Sequence, residues 1–259
     1  MITFSILGGG NLGVNLTYAL SSKGYRFKYV YKKSKFKIYS SNIEKSLKKI
    51  VLNSDVFFLS VQESRIEDLV KEIENVGNLS EKIFFHTSNS LTSDELIPLK
   101  EKGALVASFS PLQTFSSFYN DEDIFKSVCF LFEGDGEALK TAKKISSDLG
   151  AHCMEVEKSL KIYFHIGAVA SSNFLNSLMR FADIQIKKGG GNDYKILLPL
   201  VRQTLNNIEK NGLEMSLTGP ADRKENEIIL KHMELLSGED KKLYEILTNL
   251  LSSNGGYFS

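Results

Sequence analysis

An α/β fold that gives way to an all-helical second half is what this sequence predicts, and three observations carry the prediction. Short apolar runs alternate with amphipathic segments over the first 157 residues. A glycine cluster, ILGGGNLG, joins the first apolar run to the first helical pattern. After residue 156 the strand signals stop and only helical periodicity remains. Continuous apolar strands separated by helices argue for a mostly parallel sheet covered on both faces. The pattern divides the chain into residues 1–157 and 158–259.

Each element follows from its own residues. Residues 2–7 (ITFSIL) read as a strand that runs into glycine. Residues 11–23 read as a helix with Leu12, Leu16, Ala19 and Leu20 on one face, ended by Gly24. Residues 25–31 form an aromatic, alternating strand, and 43–50 a helix. Strands at 55–61 (DVFFLSV) and 82–86 (KIFFH) flank a helix at 65–74. Further strands are expected at 105–109, 128–132 and 153–156. One long helical pattern then covers 159–187 and breaks at GGGND. Residues 194–210 form a second long helix, expected to bend at Pro199, which has no N–H to donate. Asn211 and Gly212 close it. A loop, SLTGPADRKE, leads to a helix ending near Leu236, and a last helix covers 240–251.

Composition narrows the function. The chain has 259 residues, 42% apolar and 24% charged, with a formal net charge of +1. A nucleic-acid binder would carry a larger basic excess. No apolar run reaches the roughly 20 residues that span a bilayer, and MITFSILGGG lacks the basic start of a signal peptide. The two cysteines, Cys129 and Cys153, lie in apolar strand-like runs and are expected to be buried free thiols. A reducing cytoplasm is the expected compartment, and no metal site is expected.

The glycine cluster gives the first chemistry. Gly8, Gly10 and Gly13 fit the Gly-x-Gly-x-x-Gly spacing, between a strand and a helix. Gly8 permits the tight turn, Gly10 lets the backbone approach a diphosphate, and Gly13 lets helix and strand pack closely. Free N–H groups at the helix start then face the phosphates. Gly8, Gly9, Gly10, Asn11, Leu12 and Gly13 are therefore the expected cradle of a dinucleotide, in a Rossmann-like domain.

The second strand runs into YVYKKSK. A fold that binds NAD usually places a carboxylate here, about 20 residues past the glycines. This chain offers Lys32, Lys33, Ser34 and Lys35, and its first acid downstream is Glu44. A carboxylate would repel a 2′-phosphate, whereas lysines and a hydroxyl bind one, at about 1.5–3 kcal/mol for each charge-assisted bond. The expected cofactor is NADP(H).

Three later loops follow strands at the carboxyl edge of the sheet: VQES, HTSNS and SPLQTF. Val61, Gln62, Thr87 and Ser88 are expected along the cofactor, and Ser110 and Gln113 at the substrate. On the first long helix, Lys161, His165 and Ser172 share a face, with Asn173 and Asn176 beside it. A chargeable group, an imidazole and amides suit reduction of a carbonyl, where one group protonates the forming alkoxide. Arg223, near the start of a later helix, is a candidate bidentate clamp for a carboxylate.

These residues together resemble a family that pairs a Rossmann-like domain with a helical domain of unknown function. Its members are distant relatives of the 6-phosphogluconate dehydrogenase-like reductases. The resemblance spans nearly the whole chain and rests on GGGNLG, DVFFLSVQE, HTS, FSPLQTF, HIGAVASSNF, LPL…TLNNI and LTGPADR. Some members resemble an alternative class of ketopantoate reductase, which reduces 2-dehydropantoate with NADPH in pantothenate synthesis. The sequence departs from the family in three places. The family has His at Ser110, Val-Pro-Asp at Val61-Gln62-Glu63 and Arg-Gly-Asp at Arg223-Lys224-Glu225. His165, Asn173, Thr218 and Arg223 are kept.

The resemblance implies an NADPH-dependent reductase of a small 2-oxoacid, with 2-dehydropantoate the first candidate. His165 is then the expected general acid, with Lys161 the alternative. Asn173 would hold the substrate oxygen, and Arg223 with Thr218 the carboxylate. A homodimer is implied by analogy with related helical domains. The rival expectations are a reductase of an imine or another 2-oxoacid, and an NADP(H)-binding regulatory protein without turnover.

Overall fold

The computed structural model describes residues 1–31, 37–220, 222–223 and 225–252, with side chains left aside at 37, 38 and 252. The chain divides into two compact units, Met1–Ser172 and Asn173–Ser259.

The first unit is built on eight strands: β1 (Thr3–Leu7), β2 (Arg26–Tyr31), β3 (Ile43–Glu44), β4 (Val56–Leu59), β5 (Ile83–His86), β6 (Leu105–Pro111), β7 (Cys129–Gly134) and β8 (His152–Glu155). They form one sheet in the order β3-β2-β1-β4-β5-β6-β7-β8. Every neighbouring pair is parallel except β6 with β7, where Phe109 faces Phe132 in antiparallel register. The strand order reverses between β1 and β4, the topological switch at which such sheets open a crevice for ligands. This is the doubly wound, mostly parallel sheet that the sequence predicts.

The strands are apolar on both sides because helices cover both faces. α1 (Asn11–Ser22) and α5 (Gly136–Asp148) belong to a core containing Phe4, Phe58, Phe85, Phe109 and Phe130. α2 (Leu47–Leu52), α3 (Ile66–Glu74) and α4 (Ile97–Glu101) pack on the opposite face, over Phe57, Leu59, Phe84 and Val106. Alternate residues of one strand therefore serve two cores, as the two-residue period requires. Across the ladder the rings stack, Phe57 on Phe84 at 4.5 Å and Phe109 on Phe130 at 4.4 Å between centroids. α6 (Lys161–Val169) closes the first unit.

The described helices of the second unit are α7 (Leu175–Lys188), α8 (Leu198–Met215), α9 (Asn226–Leu235) and α10 (Gly238–Ser252). No helix among the described residues is long and apolar enough to cross a membrane.

Several local expectations are corrected. Residues 43–50 are not one helix. Glu44 accepts from the N–H groups of Lys45 and Ser46, which ends β3, and Ser46 then caps α2 by accepting from Lys49. Pro199 does not bend a helix; it sits in the first turn of α8, where its missing N–H costs nothing. Gly212 does break the helix as expected (φ 81°), although a further short stretch follows it to Met215. The long pattern at 159–187 is interrupted by a π-turn at Ala170–Phe174, and the two compact units divide inside it. Cys153 is exposed because β8 is an edge strand whose residues all remain accessible, and Cys129, the first residue of β7, is only half-buried.

Candidate active site

The glycine turn is shaped by close packing. Gly8 has φ +128°, and a Cβ there would lie 2.2 Å from the Ser60 carbonyl oxygen. A Cβ on Gly13 would lie 2.4 Å from the Gly8 oxygen and 2.9 Å from Ile6. β1, β4 and α1 thus meet with no room for a side chain at either glycine. Gly10 differs: a Cβ there meets nothing nearer than the Ser60 oxygen at 4.0 Å. It caps α1 with an extended backbone (ψ −177°) and leaves the helix start open. Close packing behind the turn and open space in front of it is what a diphosphate cradle needs. Gly9 lies between these two, half-buried.

Asn11 and Leu12 are tied inward. The Asn11 amide donates to the Phe115 carbonyl at 2.9 Å, and Asn15 donates to the Ser117 carbonyl at 2.8 Å. The loop after β6 is thereby fastened to α1. Leu12 packs against the first core and Val61 against the second, while Gln62 is exposed. Thr87 is buried at the end of β5, and its hydroxyl donates to the Leu59 carbonyl at 3.2 Å. Lys32, Lys33, Ser34 and Lys35 lie outside the described residues. Glu44, the first acid after them, is engaged by Lys49 at 2.7 Å. That pairing, with two backbone N–H groups, holds its carboxyl at about 2.

A polar cluster lies beyond the carboxyl ends of β4, β5 and β6. Lys161 is fully buried at the start of α6. Its ammonium donates to the Ser88 carbonyl at 2.8 Å, and also to the Leu91 carbonyl and the Ser108 hydroxyl. Burial lowers its pKa to about 8, against the pull of Glu133 and Glu63. Glu133 is itself buried on β7, where it accepts from the Ser93 N–H at 2.8 Å and its hydroxyl at 2.6 Å. His86 is buried too, and burial with the nearby Lys161 charge pushes its pKa down to about 3. It is a neutral imidazole at pH 7, accepting at Nδ1 from the Ser88 N–H at 3.3 Å.

Glu63 stands at the rim of this cluster. Its Oε1 accepts from the Ser90 hydroxyl at 2.6 Å and from the Ser88 hydroxyl. Burial would raise its pKa, but the two hydroxyls and the neighbouring His165 hold it below the usual range. His165, on α6, has a buried Nδ1 with no hydrogen-bond partner among the described residues. Within the first unit the fold thus brings Lys161, Ser88, Glu63 and His165 together, although they come from three separate stretches of sequence.

Other expected residues are placed elsewhere. Ser110 is fully buried within β6, its hydroxyl donating to the Leu131 carbonyl at 3.4 Å, so it is not presented to a ligand. Gln113 is exposed, and its side-chain oxygen accepts from the Thr114 N–H. In the second unit, Asn173 lies in the π-turn and Thr218 is exposed. Arg223 has both arms of its fork on Glu225, at 2.7 and 3.0 Å, so the clamp is filled by the chain's own carboxylate.

Glu133 and Ser93 have no place among the expected site residues, and Glu63 enters only as a departure from the family pattern. Glu63 carried a usable signal, as an acid in the loop that follows a buried strand. Glu133 carried one too, as the single charge in the run CFLFEG.

The fold is a Rossmann-like α/β unit followed by a helical unit, and known structures share it. A candidate NADP oxidoreductase from Bacteroides fragilis is 24% identical over 98% of both chains, with a TM-score of 0.81. An imine reductase from a Pseudomonas species is 13% identical over 98% of this chain and 94% of its own, with a TM-score of 0.66. Pyrroline carboxylate reductase from Plasmodium falciparum, solved with NADP bound, is 12% identical over 97% of this chain and 98% of its own, with a TM-score of 0.62. Residues 128–250 match the model of a domain of unknown function, DUF2520. No curated protein sequence matches the chain.

Proposed function

We propose that the protein is an NADP(H)-dependent reductase of a small carbonyl compound. One observation carries this: Gly8 and Gly13 are packed to the backbone while Gly10 leaves the start of α1 open. The fold it shares with NADP-linked reductases supports the same reading. Gly8 to Gly13 would hold the diphosphate, and Lys32, Ser34 and either Lys33 or Lys35 the 2′-phosphate. Glu44 is committed to Lys49, so no free acid follows the lysines to oppose that phosphate. When bound, the cofactor supplies a hydride.

The chain's own residues supply the proton and hold the substrate. His165 is the general acid. Lys161 has all three of its donors in use and positions the loops after β5 and β6. Asn173 orients the substrate oxygen. The cofactor part is residues 1–157 and the substrate groups come from 158 onward. The exposed leucines of the helical part are covered in a homodimer.

The substrate is a 2-oxoacid, with 2-dehydropantoate first. The second reading is a cyclic imine, favoured by the fold shared with imine and pyrroline carboxylate reductases. Loss of NADPH absorbance with 2-dehydropantoate, and none with pyrroline-5-carboxylate, supports the first; the reverse supports the second. Tight NADPH binding without turnover on either makes the protein a binder only. Gly10→Val tests the cradle itself. Its backbone suits any residue and its surroundings are open. We expect an unchanged Tm with NADPH affinity lowered at least tenfold, and unchanged affinity would refute the cradle.

A further inference from the structure

The second unit holds a pocket of about 480 Å³, lined by Asn176, Met179, Arg180, Asp183, Ile184 and Tyr194. That volume lies in the range of small-ligand sites. Five of the six residues stand on α7 at helical spacing, and Tyr194 faces them from the turn before α8. Asn176 and Arg180 are four residues apart and so stack on one face. Asn173 continues that face one turn toward the π-turn, where backbone irregularity often marks a functional position.

The charges in the pocket decide what it takes. Asp183 is already spent: one oxygen accepts from Lys187 at 2.7 Å and the other from the Tyr194 N–H at 2.8 Å. Lys187, first, and that N–H hold its carboxyl low, so it remains an anion paired with a lysine. Among the described residues no carboxylate pairs with Arg180, in contrast to Arg223, whose fork Glu225 fills. An unclaimed guanidinium therefore borders a concavity whose remaining walls include Met179, Ile184 and an aromatic ring. A planar fork prefers a carboxylate, which it grips at two oxygens.

We propose that this pocket binds a small carboxylic acid with an aliphatic body. Arg180 takes the carboxylate, Asn176 donates a further hydrogen bond, and Met179 and Ile184 cover the body. That the acid is the reductase's substrate rests on the function proposed above; the pocket's preference for a carboxylate does not.

Calorimetric titration of the full-length protein tests this without turnover. The probes are 3-methyl-2-oxobutanoate and its methyl ester, with NADPH titrated separately. The acid should bind at least tenfold more tightly than the ester. Arg180→Gln should abolish that difference and leave NADPH affinity unchanged, while Arg180→Lys restores only part of it. Ile184→Trp, at an exposed wall position, should fill the pocket and weaken acid binding at least tenfold. Equal binding of acid and ester, no binding of the acid, or unaltered acid binding in Arg180→Gln would each overturn the proposal. Should Arg180→Gln fail to fold, unaltered acid binding in Ile184→Trp overturns it instead. Failure of the wild type to bind NADPH would sink the reductase reading and leave the carboxylate result standing.

Discussion

Phe57, Phe58, Phe84 and Phe85 in the first unit are 0% exposed, whereas Leu213, Met215 and Leu235 in the second are 78%, 80% and 82% exposed. The first unit is a closed sandwich: a sheet apolar on both faces with helices over each. In the second unit α7, α8 and α9 have no fully buried residue. The first unit can accommodate buried Lys161, Glu133 and His86 because a well-packed frame holds their partners in place. A buried polar group without a partner costs about 1–3 kcal/mol, so such a cluster survives only where the frame is rigid. The helical unit places its polar groups at the surface, where they cost little and can meet a ligand.

The strongest way to break this contrast is Lys161→Met. The substitution keeps much of the volume and removes the donor from two carbonyls and a buried hydroxyl. We expect a loss of about 3 kcal/mol in stability by denaturant titration. A loss under about 0.5 kcal/mol would mean that the cluster is not structural.

Acid should come next. The folded pKa of His86 lies near 3, below its ordinary 6.5, so the unfolded chain binds more protons between those values. Its contribution is fully present above pH 6.5 and is lost as pH falls through that window toward 3. His86→Gln should flatten this part of the stability profile; an unchanged slope would assign the acid sensitivity elsewhere.

The smallest effect on stability is expected from Leu235→Asp. An 82% exposed leucine has little burial to lose, so the monomer should shift by no more than about 0.5 kcal/mol. Light scattering should nonetheless show a lower mass if a second copy covers that face. A change in stability without a change in mass would place Leu235 in a core of its own chain.

Much of the fold was legible because its signals are local. Apolar runs such as VFFL and IFFH mark strands buried on both faces, and glycine at 8 and 13 marks a turn with no room for Cβ. Where the reading missed, competing local chemistry had decided. The Ser46 cap split one expected helix, Pro199 began a helix instead of bending it, and edge position left Cys153 exposed. The site was less legible. His165 and Lys161 share a helix and could be found by periodicity, but Glu63 and Ser88 reach them only through the parallel register of β4 and β5. Arg223 looked like a clamp because a sequence does not show that Glu225, two residues on, closes it.

By itself the sequence determined the alternating α/β order, the glycine turn and the absence of an acid behind the second strand. Each is set by residue type over a few positions, where backbone freedom, hydrophobic period and charge act locally. Tertiary structure alone decided which polar groups are free. Ser110 and Lys161 are used up within the first unit, Asp183 and Arg223 within the second, and among the described residues no carboxylate pairs with Arg180. A hydrogen bond needs its partner within about 3 Å, and only the folded chain sets that distance, whether the partner is two residues away, as for Arg223, or 53, as for Lys161 and Ser108.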